Sequence, residues 1–275
     1  MKKNTAKKFT IWISIIILVL VIFLSPLFAF IKSIFVMSIY SASESKTSLM
    51  KKEGIDLKIP GGYSTLKKDW YPFVITYNAH GFSNFTKKDV DLSILYNFGA
   101  FDYIKGSSLL YSVSSDYHSA FYGAYAVKEN GNSYGYNQYG KINVDEMADI
   151  FKYDMQVLVL QSIGCDSPIF DFEIKNIGEK EVFLGFTWDV IDANIITNSP
   201  LHNVNDNHRA YIQYGKPSAF DTTVDYEKTK VYGRIYAQHI EEKNVTLCFY
   251  IIAPSLEALE TCETDMIKNS KLSFK

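Results

Sequence analysis

Hydrophobic and polar positions alternate with a period of two over much of this chain. In 92-LSILYNF-98, Leu92, Ile94, Tyr96 and Phe98 share one face, while Ser93, Leu95 and Asn97 share the other. In 170-FDFEIK-175, Phe170, Phe172 and Ile174 oppose Asp171, Glu173 and Lys175. Successive side chains of a strand point to opposite faces, so the pattern predicts antiparallel strands with one buried and one wet face. Val182, Leu184, Phe186 and Trp188 continue it through 181-EVFLGFTWDV-190, which places a hairpin turn at 176-NIGEK-180. A second hairpin is predicted from 229–240 and 245–253, turning at 241-EEKN-244. Further strands are predicted over 71–79, 107–114, 119–127 and 209–215.

Two stretches change to a helical period. In 143–164, Asn143 followed by Glu146 has the form of an N-terminal capping box, and Gly164 provides the stop. Met147, Ile150, Phe151, Met155 and Leu158 make its apolar stripe. The second helix follows Pro254, with Ser255 as N-cap and Leu256, Leu259, Cys262, Met266 and Ile267 on one face. The closing 271-KLSFK-275 reads as a short extended piece at a sheet edge. Strands with two segregated helices predict an α+β domain built on antiparallel β-sheet, with a β-sandwich as the alternative.

The N-terminus breaks both patterns. Residues 11–31 carry no charge, and 21 residues make a helix about 31 Å long, the thickness of a bilayer core. Lys2, Lys3, Lys7 and Lys8 precede them, so the positive-inside rule puts that end in the cytoplasm. The alternative is a cleaved signal peptide. Against it, apolar character resumes after Lys32 in 33-SIFVMSIY-40, and no clean small-residue cleavage site follows the first run. The predicted organisation is a cytoplasmic segment 1–10, a transmembrane helix 11–31, a juxtamembrane linker or helical stalk 32–53 and an extracytoplasmic domain 54–275. The lipid bilayer is the first expected partner.

Charge then narrows the rest. The formal net charge is −2, but Lys2, Lys3, Lys7, Lys8 and Lys32 all lie before position 40, leaving 23 basic against 30 acidic residues beyond it. An acidic domain repels phosphate backbones, which excludes nucleic acid as a partner. Arg209 and Arg234 are the only arginines, so bidentate anion clamps are scarce as well. Three cysteines, Cys165, Cys248 and Cys262, are too few for a disulfide framework. Small buried thiols are the expectation, with a Cys248–Cys262 bridge as the alternative.

Candidate chemistry is sparse. The segment 202-HNVNDNH-208 offers His202, Asp206 and His208, residue types that suit zinc, but no helix fixes their geometry and a polar turn is the default. Ser114, Asp116 and His118 share a strand face without the order or the nucleophile elbow of a triad. No phosphate-binding glycine loop or dinucleotide fingerprint is present, so no cofactor is expected.

Aromatic residues are abundant, with 20 Tyr and 19 Phe. Most fit strand packing. Tyr134, Tyr136 and Tyr139 do not: they fall in 131-GNSYGYNQYG-140, an uncharged connection longer than usual between a strand and a helix. A tyrosine presents a flat apolar face and a hydroxyl, which suits a glycan or peptide contact. The chain therefore reads as a single-pass, membrane-anchored extracytoplasmic binding or accessory module. Its expected setting is the surface of a Gram-positive cell, with a membrane-protein or cell-wall partner. A surface hydrolase using residues 202–208 and a structural envelope-assembly protein are the alternatives.

Overall fold

The computed structural model describes residues 11–21, 38–60, 73–98, 120–161, 167–198 and 228–275. Seven strands form one sheet: β2 (Phe73–Asn78), β3 (Val90–Phe98), β4 (Phe121–Glu129), β5 (Phe170–Phe183), β6 (Phe186–Thr197), β7 (Thr229–Ile240) and β8 (Val245–Ala253). Their spatial order is β2-β3-β4-β8-β7-β6-β5. Every neighbouring pair is antiparallel. The strand-rich antiparallel α+β architecture is as predicted. A second sheet, β1 (Ile55–Lys58) with β9 (Lys271–Phe274), has two strands, so two large facing sheets are not formed among the described residues.

The inner strands depart from the one-wet-face expectation. All nine residues of β8 are buried, as are Ser93 and Leu95 of β3. The reason is that both faces of the sheet are covered. On the first face lie α4 (Phe82–Thr86), through its buried Phe82, and α5 (Val144–Lys152), which continues as a π-helical stretch over Tyr153–Leu160. There Ile150, Phe151, Met155 and Val159 join Ile94, Tyr125, Tyr250 and Ile252. On the second face lies α6 (Leu256–Cys262), followed by π-helical Glu263–Ile267. Leu259, Met266 and Ile267 pack there with Leu247, Phe249, Trp188 and Tyr236. Each fully buried Leu, Ile or Phe stabilises the fold by about 1.5–3 kcal/mol relative to exposure, which makes β8 the energetic centre. Leu256, predicted on the buried helix face, is instead 54% exposed.

Both predicted N-caps are in place. Ser255 Oγ accepts from Ala258 N, and Asn143 Oδ1 accepts from Glu146 N at 3.5 Å. The reciprocal half of the capping box is not made, because the Glu146 carboxylate turns to Gly135 N at 2.6 Å and to Lys88.

The hairpin β7–β8 turns where expected, through a 3-10 turn at Glu241–Lys243 and left-handed Asn244. The β5–β6 hairpin does not. Its turn is Leu184–Gly185, both at positive φ, a two-residue connection whose twist matches the strands it joins. The predicted turn at 176–180 is a pair of register shifts, absorbed partly by Gly178 at φ +97. The longer hairpin is held by Trp188. Its ring is fully buried and stacked on Phe183 at 5.0 Å, and its Nε1 donates to the Phe183 carbonyl at 3.0 Å.

Residues 11–21 form helix α1, all exposed. Among the described residues no helix is long and apolar enough to cross a membrane. The predicted span 11–31 is thus not supported by the described structure, and its second half, 22–31, lies outside it. The linker region is helical, as α2 (38–47) and α3 (Leu49–Lys52). It is docked rather than extended. Ser41 Oγ and Glu44 Oε2 accept from the Thr76 and Asn78 amides of edge strand β2, at 2.9 and 3.2 Å. Those N–H groups would otherwise be open to pairing with another chain.

Cys248 and Cys262 are free and buried on opposite faces of the sheet, so the alternative of a bridge is excluded. Burial pushes the Cys248 thiol up to about 12. In a Cys165→Ser chain, thiol titration is expected to find no accessible thiol until denaturant is added, and then both. Native reactivity would contradict this packing.

Candidate functional site

The loop after β4 is built to be stiff. Asn137 Oδ1 accepts from Tyr139 N and Lys141 N at 2.9 and 3.1 Å, closing a tight turn. Gly135 is tied on both sides, its N–H to Glu146 and its carbonyl to Asn143 N at 2.8 Å. The Tyr134 carbonyl accepts from Thr246 Oγ1 of β8 at 2.6 Å.

This frame sends the three tyrosines to three environments. Tyr134 is 1% exposed and packs edge-on to Phe82, with Lys88 Nζ 5.3 Å over its ring. It is a core residue, not a contact residue. Tyr136 is partly buried, and its hydroxyl donates to Asp189 Oδ2 at 3.1 Å. Tyr139 is 78% exposed. Of the predicted ligand-binding set, the structure therefore leaves Tyr139 exposed and Tyr136 partly buried against the core.

Tyr136 forms one wall of a cleft of about 690 Å3 between this loop and the neighbouring ends of β5, β6 and β7. Asp189 Oδ1 accepts from Lys180 Nζ at 2.8 Å, so both carboxylate oxygens are engaged. Gln238 and His239 of β7 also line the cleft, the His239 ring 6.1 Å from that of Tyr136 and the Gln238 side-chain amide donating to the His239 carbonyl at 2.8 Å. His239 Nδ1 lies 3.0 Å from Thr246 Oγ1. A threonine hydroxyl has one proton, and this one is given to the Tyr134 carbonyl. Nδ1 must therefore donate, which fixes the tautomer and leaves Nε2 as a bare acceptor. Burial holds the imidazole below its ordinary pKa, so the ring is neutral at pH 7. Burial beside Asp189 likewise raises the Tyr136 phenol, which stays protonated.

Two further polar clusters support the sheet rather than line a cleft. On the first face Asp154, fully buried, accepts from both Tyr96 and Tyr125 hydroxyls. Desolvation raises its carboxyl to about 7, against the lowering effect of the two tyrosines. On the second face Arg234 meets Asp192 at 2.7 Å and Glu263 at 2.5 Å, while Lys268 bridges Glu263 and Glu181. One of the two arginines is thus consumed by an internal clamp. Of the three buried acids among the described residues, Asp154 and Glu263 sit in the π-helical stretches and Glu129 ends β4.

His202, Asp206 and His208 lie outside the described residues, as do Ser114, Asp116, His118 and Cys165. Among the described residues no group of three or more His, Cys, Asp or Glu could hold a metal ion. His239 and Asp189 carry no mark of a site in the sequence, since each fits a strand alternation. The signal that could have found them is the hairpin register, which sets Asp189 opposite Ala237, next to Gln238 and two residues from His239. No protein-family model, curated protein or solved structure matches the chain.

Proposed function

We propose that this protein is a membrane-anchored extracytoplasmic binding module, held by residues 11–31, that takes its ligand in the cleft between loop 131–140 and the ends of β6 and β7. One observation carries the binding half: a polar cleft whose walls are already fixed before any ligand arrives. Tyr136 is clamped to Asp189, His239 is fixed by Thr246, and the loop is cross-tied to α5 and β8. Ordering a loop on binding costs affinity, so a wall that needs no ordering favours recognition. The anchoring half is supported by the charge-free length of 11–31 and the lysines before it.

A second reading, a surface hydrolase, draws on the neutral His239 with its free Nε2, a group able to act as a base. Among the described residues the ring hydrogen-bonds to no hydroxyl or thiol but that of Thr246, which is already donating its proton elsewhere. The binding reading is preferred on that ground.

Fractionation tests both halves. The full chain is expected in the membrane fraction after a salt wash, with the domain cut by protease added outside and an N-terminal tag protected. A combined Tyr139→Ala, Gln238→Ala variant is expected to retain anchoring and to lose most co-sedimentation with isolated cell envelopes. A soluble chain lacking residues 1–40 would sink the anchor. Undiminished envelope binding by the variant would sink the cleft.

A further inference from the structure

Resting on that placement of the site, we infer that the cleft ligand is a neutral, hydroxyl-rich molecule, a short oligosaccharide, bound by stacking on tyrosine and by side-chain amides. The chemistry of the lining argues by elimination. Lys180 is the one cation lining it among the described residues, and it is already paired with Asp189. Glu241 then leaves a net negative lining, which repels phosphates and carboxylates. A metal ion would need several converging ligands, and among the described residues no three His, Cys, Asp or Glu side chains come together to hold one. No aliphatic side chain lines the space, so an acyl chain or hydrocarbon ligand would find no apolar wall.

What remains is matched to a sugar. Asn132, Gln138, Gln238 and Asn244 line the cleft; the Gln238 and Asn244 amides each give one hydrogen bond to a backbone carbonyl, of His239 and Glu129, and each side-chain amide carries a further donor and an acceptor without net charge. A sugar ring presents hydroxyls at its rim, which both give and take hydrogen bonds, and a patch of C–H bonds on its face. Such a face packs against an aromatic ring. Tyr136 lies in the wall, and Tyr139, between lining residues Gln138 and Gly140, stands 78% exposed at the rim. His239 Nε2, a neutral acceptor, can accept a hydrogen bond from a sugar hydroxyl, with no charge on either partner.

Calorimetric titration of the full chain in detergent micelles tests this with named probes. These are an N-acetylglucosamine tetrasaccharide and maltotetraose as neutral sugars, inorganic phosphate as an anion and tetra-alanine amide as a peptide. At least one saccharide is expected to bind, with affinity reduced tenfold or more in Tyr139→Ala, a surface change that leaves the fold intact. Binding of phosphate or the peptide but of neither sugar, with the same Tyr139 dependence, would overturn the ligand class and keep the site. The same holds if no probe binds while envelope binding still depends on Tyr139 and Gln238. Saccharide binding that is unchanged in Tyr139→Ala and Gln238→Ala would overturn both.

Discussion

Replacing Asp154 with alanine is expected to destabilise the domain by about 3–5 kcal/mol at neutral pH, the range for breaking a buried polar network. The carboxylate is fully buried and receives Tyr96 and Tyr125 from two neighbouring strands. Its removal orphans two buried hydroxyls, each costing about 1–3 kcal/mol, and leaves a cavity. Asp154→Asn keeps an oxygen acceptor and the volume, so its effect is smaller and of a different kind. In the folded chain the Asp154 carboxyl is raised to about 7 from an ordinary 3.8, chiefly by desolvation. Between those values the folded state holds a proton that the unfolded state has lost. Stability from this group is therefore fully present below pH 3.8 and is lost as the pH rises through about 7. The loss runs at about 1.4 kcal/mol per pH unit within that window. Urea denaturation of both chains across pH 4–8 is expected to show wild type losing stability relative to Asp154→Asn as the pH rises. Parallel curves would mean that Asp154 does not titrate in this window.

The second large effect is expected at Gly123 in the middle of β4. A Cβ there would stand 2.1 Å from the Leu95 carbonyl oxygen and 2.6 Å from the Tyr250 hydroxyl. The glycine lets Tyr250, its cross-strand partner, lie across β4 and stack on Tyr125 at 4.7 Å. That stack in turn helps to hold the hydroxyl of Tyr125 on Asp154. Because the nearest obstacle is backbone, relief requires moving β3 away from β4. Gly123→Ala is expected to cost at least the upper end of the usual 1–3 kcal/mol, about 3 kcal/mol or more. Gly233 in β7 is the control. Its added Cβ would meet Ile195 Cδ1 at 2.6 Å, the end of a side chain that can turn aside. Gly233→Ala is expected within about 1 kcal/mol of wild type. Equal denaturation midpoints for the two variants would refute the distinction between backbone and side-chain obstruction.

Much of the fold is legible because local signals agree with tertiary demands. The run 245-VTLCFYIIA-253 reads as strand, and Asn143 and Ser255 mark helix starts that the structure uses. The β5–β6 turn misleads because Asn-Ile-Gly is a stronger turn signal than Leu-Gly. What overrides it is the burial of Trp188 against Phe183, a long-range effect absent from any short window. The wet face predicted for inner strands fails for a similar reason, since α3 and the small sheet pack on the face that holds Ser93 and Leu95, Ser93 Oγ accepting from Leu49 N at 2.8 Å.

The site was half legible. Loop 131–140 stands out by composition, but the fate of each tyrosine depends on partners far along the chain. Tyr134 is fixed by its contacts with Phe82 and Thr246, and Tyr136 by Asp189. His239 carries no local mark at all. Its role as a neutral acceptor follows from a single proton on Thr246, which only the folded arrangement shows.

The central claim is that the domain meets its ligand at the cleft. Hydrogen–deuterium exchange of the full chain, free and bound to isolated cell envelopes, tests it most directly. New protection is expected in residues 131–140 and 236–244, with the half of edge strand β5 away from the cleft, residues 170–176, unchanged. Protection of residues 170–176, with no change at loop 131–140, would contradict it.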